Sequence, residues 1–153
     1  MGTAEGWLYV AVILDLWSRR VVGWATAETL HACLATHALK MAVKHRCPPQ
    51  GLLHHSDRGV QYASGEHRAL LAAAGLVPSM SRAGNPYDNA AMESFHATYK
   101  RECVGLTEDG GGYATRTEAT HDFFDYVEKY YNRVRSHSAL GYKTPVDFEN
   151  QLN

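Results

Sequence analysis

The chain predicts an α/β domain with a mixed sheet flanked by helices, and three observations carry that expectation. Two runs rich in β-branched and aromatic residues, Trp7 to Leu16 and Arg20 to Ala25, stand either side of a short polar break and read as an antiparallel hairpin. After them, stripes of helical period alternate with short apolar runs. The length, 153 residues, suits one domain with a single core.

Taken in order, WLYVAVILDL (7–16) reads as a strand buried on both faces, and RVVGWA (20–25) as its partner. Thr29 to Arg46 places Leu30, Leu34, Ala38, Met41 and Ala42 on one helical stripe, and Cys47-Pro48-Pro49 ends that helix. Gly51 to His55 is a short strand. The helix before it suggests a right-handed crossover between parallel strands. Ser64 caps a helix through Ala74 that closes at Gly75, and Leu76 to Met80 is an edge strand weakened by Pro78. A turn-rich loop over 81–89 leads to a helix from Ala90 to about Cys103, with Met92, Phe95, Tyr99 and Cys103 as its buried stripe. Gly105 to Ala114 is a glycine-rich loop. Thr115 to about Arg135 reads as one long helix with Phe124, Val127, Tyr131 and Val134 on one side, and one last helical turn follows Thr144-Pro145. The domain expectation is one unit over 1–153, with 115–153 as its helical C-terminal extension.

Composition excludes several classes. With 45% hydrophobic and 20% charged residues, disorder, collagen-like repeats and coiled coil are ruled out. The longest apolar run, Trp7 to Leu14, is far below the roughly 18 residues of a membrane span, and no signal-peptide pattern precedes it, so a cytoplasmic protein without a membrane partner is expected. Cys33, Cys47 and Cys103 form no CxxC pair and read as reduced thiols. The net charge of −1 is low for a nucleic-acid binder, but the charges are unevenly placed. Seven acids face one basic Arg116 between Glu102 and Glu128, whereas Lys129 to Lys143 holds four basic residues, His137 and no acid.

Two carboxylates stand in settings suited to chemistry. Asp57 follows the GLLHH strand, where open α/β sheets bind ligands, although alone it is as well read as a turn cap. Glu93 lies in the first turn or so of its helix, where a carboxylate also gains from the macrodipole. On that helix Glu93, Ala97, Lys100 and Arg101 share a face apart from the buried stripe. Two such acids can hold Mg²⁺ while leaving positions for water and phosphate oxygens, and two ions about 4 Å apart can clamp an in-line phosphoryl displacement. Asp15 reads as a structural partner of Ser18 or Arg19, and His54 and His55 as residues packed at a strand end.

The surroundings of the two acids carry a resemblance. HHSDRGVQY (54–62) and NPYDNAAMESF (85–95), with 35 residues between Asp57 and Glu93 and with Lys100 seven beyond, resemble the second and third acidic motifs of bacterial insertion-sequence transposases of the D,D(35)E, OrfB type, which have a retroviral-integrase-like core. WLYVAVILDLWSRRVVGW (7–24), Tyr131-Asn132, HSALGY (137–142) and Thr144-Pro145 resemble further motifs of that family. The resemblance implies a ribonuclease-H-like fold and metal-dependent cleavage and strand transfer of DNA. It implies Asp57 and Glu93 as catalytic metal ligands, with Mg²⁺ as cofactor and Mn²⁺ as a substitute. Lys100, Arg101, Arg133, Arg135, His137 and Lys143 are implied to touch DNA, and a homo-oligomer on DNA near the nucleoid is expected. It also implies a first catalytic Asp on a central strand about ten residues before Trp7, which the sequence does not contain. An N-terminally truncated core of impaired activity is therefore expected, the alternative being a non-catalytic remnant that binds DNA or the full-length enzyme.

Overall fold

The computed structural model describes residues 1–56, 64–80, 89–103 and 112–152. The N-terminus folds as a small hairpin, β1 (Gly2–Thr3) against β2 (Gly6–Trp7), with Glu5 in its turn. β3 (Tyr9–Leu14) then pairs antiparallel with β4 (Val21–Ala27), in register from Tyr9 opposite Ala27 to Leu14 opposite Val21. The polar break is a turn built on Asp15, whose Oδ1 accepts the N–H groups of Trp17 at 2.9 Å and Ser18 at 3.3 Å.

β3 is packed on both sides but only half-buried, which corrects the expectation of a fully buried strand. Val10, Val12 and Leu14 lie against the aromatic core, while Ile13 lies against Leu39, Leu71 and Leu76. The alternation is the strand period. Among the described residues the sheet is two strands wide, with no second neighbour on the flank of β3, and burial stays incomplete.

The first helix, α1 (Ala32–Arg46), starts later than the stripe suggests, because His31 is extended, and Leu30 is left exposed. Leu34, Ala38 and Ala42 are buried against the hairpin. Gly23 makes the close approach possible. A Cβ there would stand 2.3 Å from the Ala38 carbonyl and 2.8 Å from the Ala42 Cβ. Gly23→Ala should therefore lower stability by about 1–3 kcal/mol through overpacking, read as a shift in the urea midpoint at unchanged slope.

β5 (Leu53–Ser56), α2 (Gly65–Ala73) and β6 (Val77–Met80) make a parallel β-α-β unit, with Leu53 opposite Val77 and Ser56 opposite Met80. Ser64 caps α2, its hydroxyl accepting the His67 N–H at 3.2 Å, as expected. The parallel partner of β5 is thus β6, and among the described residues β5 exchanges no ladder with the β3–β4 hairpin, so the strands that α1 connects are not direct neighbours there.

Two helices close the core. α3 (Ala90–Glu102) buries Phe95 and Tyr99, with Met92 and Cys103 packed alongside, as the stripe predicts. The expected long helix is instead α4 (Arg116–Phe124) running into a π-helical segment, Asp125–Tyr131. There the Asn132 N–H bonds the Val127 carbonyl and the Arg135 N–H the Tyr130 carbonyl, five residues back. The buried set becomes Phe123, Tyr126, Val127 and Tyr131, while Phe124 (43% exposed) and Val134 (64%) face outward, against expectation. The core starts one residue earlier than the apolar pattern indicates, and the wider turn carries Val134 off the buried side. A 3₁₀ turn (Ser138–Leu140) and α5 (Pro145–Asn150), capped by Thr144, end the chain. Among the described residues no helix is long and apolar enough to cross a membrane.

Candidate active site

α3 positions the acidic candidate. Its rotation is set by rings: Phe95 meets Tyr131 edge-on at 5.0 Å, and Tyr99 meets Phe123 at 5.2 Å and Tyr126 at 5.1 Å. With that stripe turned inward, Glu93 and Ala97 face solvent. Glu93 makes no hydrogen bond or ion pair with another described residue, which leaves a hard oxygen ligand open on the first turn of a helix. Asp57, with the segment 57–63, lies outside the described residues, and so does the 81–88 part of the Glu motif.

Lys100 is exposed towards the C-terminal end of α3 and lies near His96 and the N-terminal amine. Burial first, and the Lys100 charge second, hold both of those groups below their usual pKa. Lys100 makes no hydrogen bond or ion pair with another described residue, and it stands two turns beyond Glu93, at the spacing that puts both on one side.

Arg101 turns the other way and lines a groove of about 480 Å³ between α3, the β3–β4 turn and the residues after the π segment. Arg135 and His137 line it too, together with Arg19, which no local motif marks as a site residue. Arg135 is tightly held. Its Nε lies 2.9 Å from both Glu102 oxygens and its Nη2 2.8 Å from Oε1, and the Tyr126 hydroxyl donates to the same carboxylate at 3.0 Å. The Arg135 hydrogen bonds keep the Glu102 carboxyl below its usual range.

His137 is 8% exposed, its Nε2 lies 3.2 Å from the Tyr131 carbonyl, and its ring meets Tyr131 edge-on at 4.7 Å. Burial outweighs the other influences and holds its pKa down. This geometry makes it a clasp that folds the closing loop onto the π segment. Arg133 and Lys143 are exposed; Arg133 donates to the Glu128 carbonyl at 3.1 Å and Lys143 donates to the Gln151 side chain. The structure therefore gathers Arg101, Arg135 and His137 in one groove and leaves Lys100, Arg133 and Lys143 outside its lining.

Asp15 is structural, as expected, and carries more than the turn. Its second oxygen accepts Arg46 at 2.9 Å, and Arg46 and Arg20 both bind Glu149 of α5 at 2.8 and 2.7 Å. The three cysteines are free thiols, as expected.

Comparison with known proteins bears on this arrangement. A family profile described as "Integrase core domain" matches residues 1–86, more than half of the chain. The chain belongs to the integrase core domain family. A second profile of the same description matches residues 74–145. This integrase core is 45% identical over 147 residues to the transposase for insertion sequence element IS904 of Lactococcus lactis, covering 96% of this chain and 56% of that protein. It is 44% identical over 149 residues to transposase InsF for insertion sequence IS3fB of Escherichia coli, covering 97% of this chain and 50% of that protein. The integrase core thus spans about half the length of the curated relatives it matches.

Among solved structures, a chain of the simian T-cell lymphotropic virus intasome, in complex with the PP2A regulatory subunit B56 gamma, superposes with a TM-score of 0.76 at 16% identity, covering 97% of this chain and 50% of that one. The catalytic core domain of BIV integrase superposes with a TM-score of 0.61 at 15% identity, covering 94% and 86%. These likenesses show the fold, ribonuclease-H-like as the sequence motifs implied.

Proposed function

We propose that this integrase core serves DNA transposition: divalent-metal-dependent cleavage of DNA phosphodiesters and transfer of the cut strand. The observation that carries the reading is Glu93, solvent-facing and unpartnered among the described residues on a ring-locked helix, with 35 residues between it and Asp57, in a chain similar along 96% of its length to an insertion-sequence transposase.

Asp57 and Glu93 would hold Mg²⁺, or Mn²⁺ in its place, which suits an oxygen ligand that keeps open positions for water and phosphate. When bound, such a metal would supply activation of the attacking hydroxyl and charge stabilisation for the leaving oxygen. The remaining work falls to the chain's own residues. Glu93 presents its carboxylate at the start of α3, Lys100 offers a cation on the same side for a phosphate near the scissile bond, and exposed Arg133 and Lys143 add contacts that position the backbone without reading sequence. His137, buried, contributes by holding the closing loop, and Arg135 through the edge it shows to the groove.

In this reading the chain is one domain, with 115–153 as its C-terminal part, and acts as a multimer on DNA in the bacterial nucleoid; the intasome likeness supports the multimer. We also read the sheet as short of one strand. The hairpin through Ile13, α1 through Leu39 and the β-α-β unit through Leu71 of α2 and Leu76 just before β6 meet in a common cluster, yet the hairpin and the β5–β6 pair exchange no backbone ladder among the described residues. The resemblance assigns a strand bearing a further acid to a position between them. The 153 residues therefore carry two of three implied carboxylates, and catalysis by them alone is weak.

The test is a labelled duplex bearing the element's ends, incubated with this chain and Mg²⁺ or Mn²⁺. Weak metal-dependent nicking lost in both Asp57→Asn and Glu93→Gln is the expected result. Cleavage that survives both substitutions, or metal removal, overturns the reading. A second reading is a non-catalytic chain that binds DNA or the full-length enzyme; binding with no cleavage at all would select it.

A further inference from the structure

We propose that the groove between α3 and the closing loop binds the phosphodiester backbone of a DNA strand, beside and separate from the Glu93 face of α3. The inference rests on the transposase reading above and deepens it by naming a second phosphate track.

Three guanidiniums reach the groove from elements far apart in sequence: Arg19 from the β3–β4 turn, Arg101 from α3 and Arg135 from beyond the π segment. Ser94, Thr98 and Ser138 add hydroxyls, and among the described residues no carboxylate lines it. Like charges brought together repel, and of the three only Arg135 is held by close charge-assisted hydrogen bonds. Glu102 grips Arg135 from outside the lining, while the Arg101 guanidinium stands 3.7 Å from that carboxylate and is 72% exposed. Arg19 makes no hydrogen bond or ion pair with another described residue, and it holds φ at +59°, a left-handed conformation rare outside glycine. A polar groove with one guanidinium unpartnered among the described residues, Arg19, and a second, Arg101, only loosely paired to Glu102 is a site for an anion, and guanidinium geometry fits phosphate oxygens in pairs.

The shape favours a strand over a single ion. From Ala90 to Arg101 the lining follows α3 for about 16 Å, three turns of helix. Ser94, Thr98 and Arg101, at i, i+4 and i+7, face the groove, while Glu93 and Lys100 share the neighbouring side. A backbone lying in the groove therefore passes next to Glu93 without occupying it. The volume is in the range of sites that hold nucleotide-sized ligands.

The experiment is fluorescence anisotropy of a labelled duplex with the full chain in EDTA, so that no metal contributes, across 25 to 200 mM salt (concentrations to be taken as roughly spanning the range where phosphate contacts dominate). Arg19→Ala and Arg101→Ala should each weaken binding by about three- to tenfold at the low end and reduce the slope of log K against log salt by about 1. Arg19→Lys should keep the slope, and Lys44→Ala, an exposed cation on α1, should match wild type. Thermal melts of the variants separate lost contacts from lost folding. Unchanged affinity and slope in both alanine variants overturn the groove while leaving the cleavage test of the transposase reading standing. Absence of DNA binding at low salt also overturns it. Loss of slope in a chain whose cleavage proves metal-independent leaves the groove as a DNA site and removes the transposase reading.

Discussion

Asn132→Ala is expected to cost about 2–6 kcal/mol, a large part of the roughly 5–15 kcal/mol that holds a domain together. Asn132 is 2% exposed, and its side chain does for Val21 what a neighbouring strand would do. Its Oδ1 accepts the Val21 N–H at 3.0 Å and its Nδ2 donates to the Val21 carbonyl at 3.0 Å. Alanine would leave both backbone groups buried without partners, at about 1–3 kcal/mol each. The same residue joins three elements through its backbone. Its N–H closes a π turn on Val127, and its carbonyl receives the Val146 N–H of α5 at 3.1 Å. Urea denaturation of the variant should show a large drop in midpoint, and Asn132→Asp should not rescue it, because the carboxylate keeps the acceptor but loses the donor and adds a buried charge. A loss under about 1 kcal/mol in the alanine variant would sink this account of the clamp.

Acidification is expected to destabilise the fold between pH 6.5 and about 4, through His54 on β5. Burial first, then the neighbouring His67 and His55, push its pKa down to about 4. Its Nε2 is buried with no hydrogen-bond partner among the described residues, and its ring lies 5.6 Å from that of His67. The sign follows from the protons. Below pH 6.5 the unfolded chain takes up a proton that folded His54 refuses until about pH 4, so stability is whole above 6.5 and falls as pH drops through that window. The limit is on the order of 3 kcal/mol. His67 is shifted in the same direction by burial and adds to the slope. Urea midpoints at pH 7 and pH 4.5 should differ strongly for the wild type and less for His54→Leu. Equal differences in the two proteins would locate the acid sensitivity elsewhere.

These two residues also show why part of the site was legible and part was not. Glu93 could be placed from the sequence because its address is local. The stripe Phe95, Tyr99 and Cys103 sets the helix rotation, and a residue two before Phe95 must then face away from the core. The cap at Ser64, the stop at Cys47-Pro48 and the antiparallel hairpin are local in the same sense, and each stands where the residues put it. His137 and Arg135 look like free cations in a basic stretch, yet one is buried against Tyr131 and the other is bound to Glu102, 33 residues away. Charge counts along a chain cannot show such partners.

The π segment behaves similarly. Phe124 and Val134 fit an ideal helical stripe, and they are exposed because the backbone there follows neither that stripe nor its period. Arg19 sits in a polar break with nothing in its neighbours to single it out, and only the approach of α3 and the closing loop makes it part of a groove. What the sequence by itself determined is the family, the order of elements and the face that carries Glu93, all set by motifs and short-range periodicity. What only the tertiary structure decided is which cations are free and which are spent inside the protein, because that depends on contacts between residues brought together from distant parts of the chain.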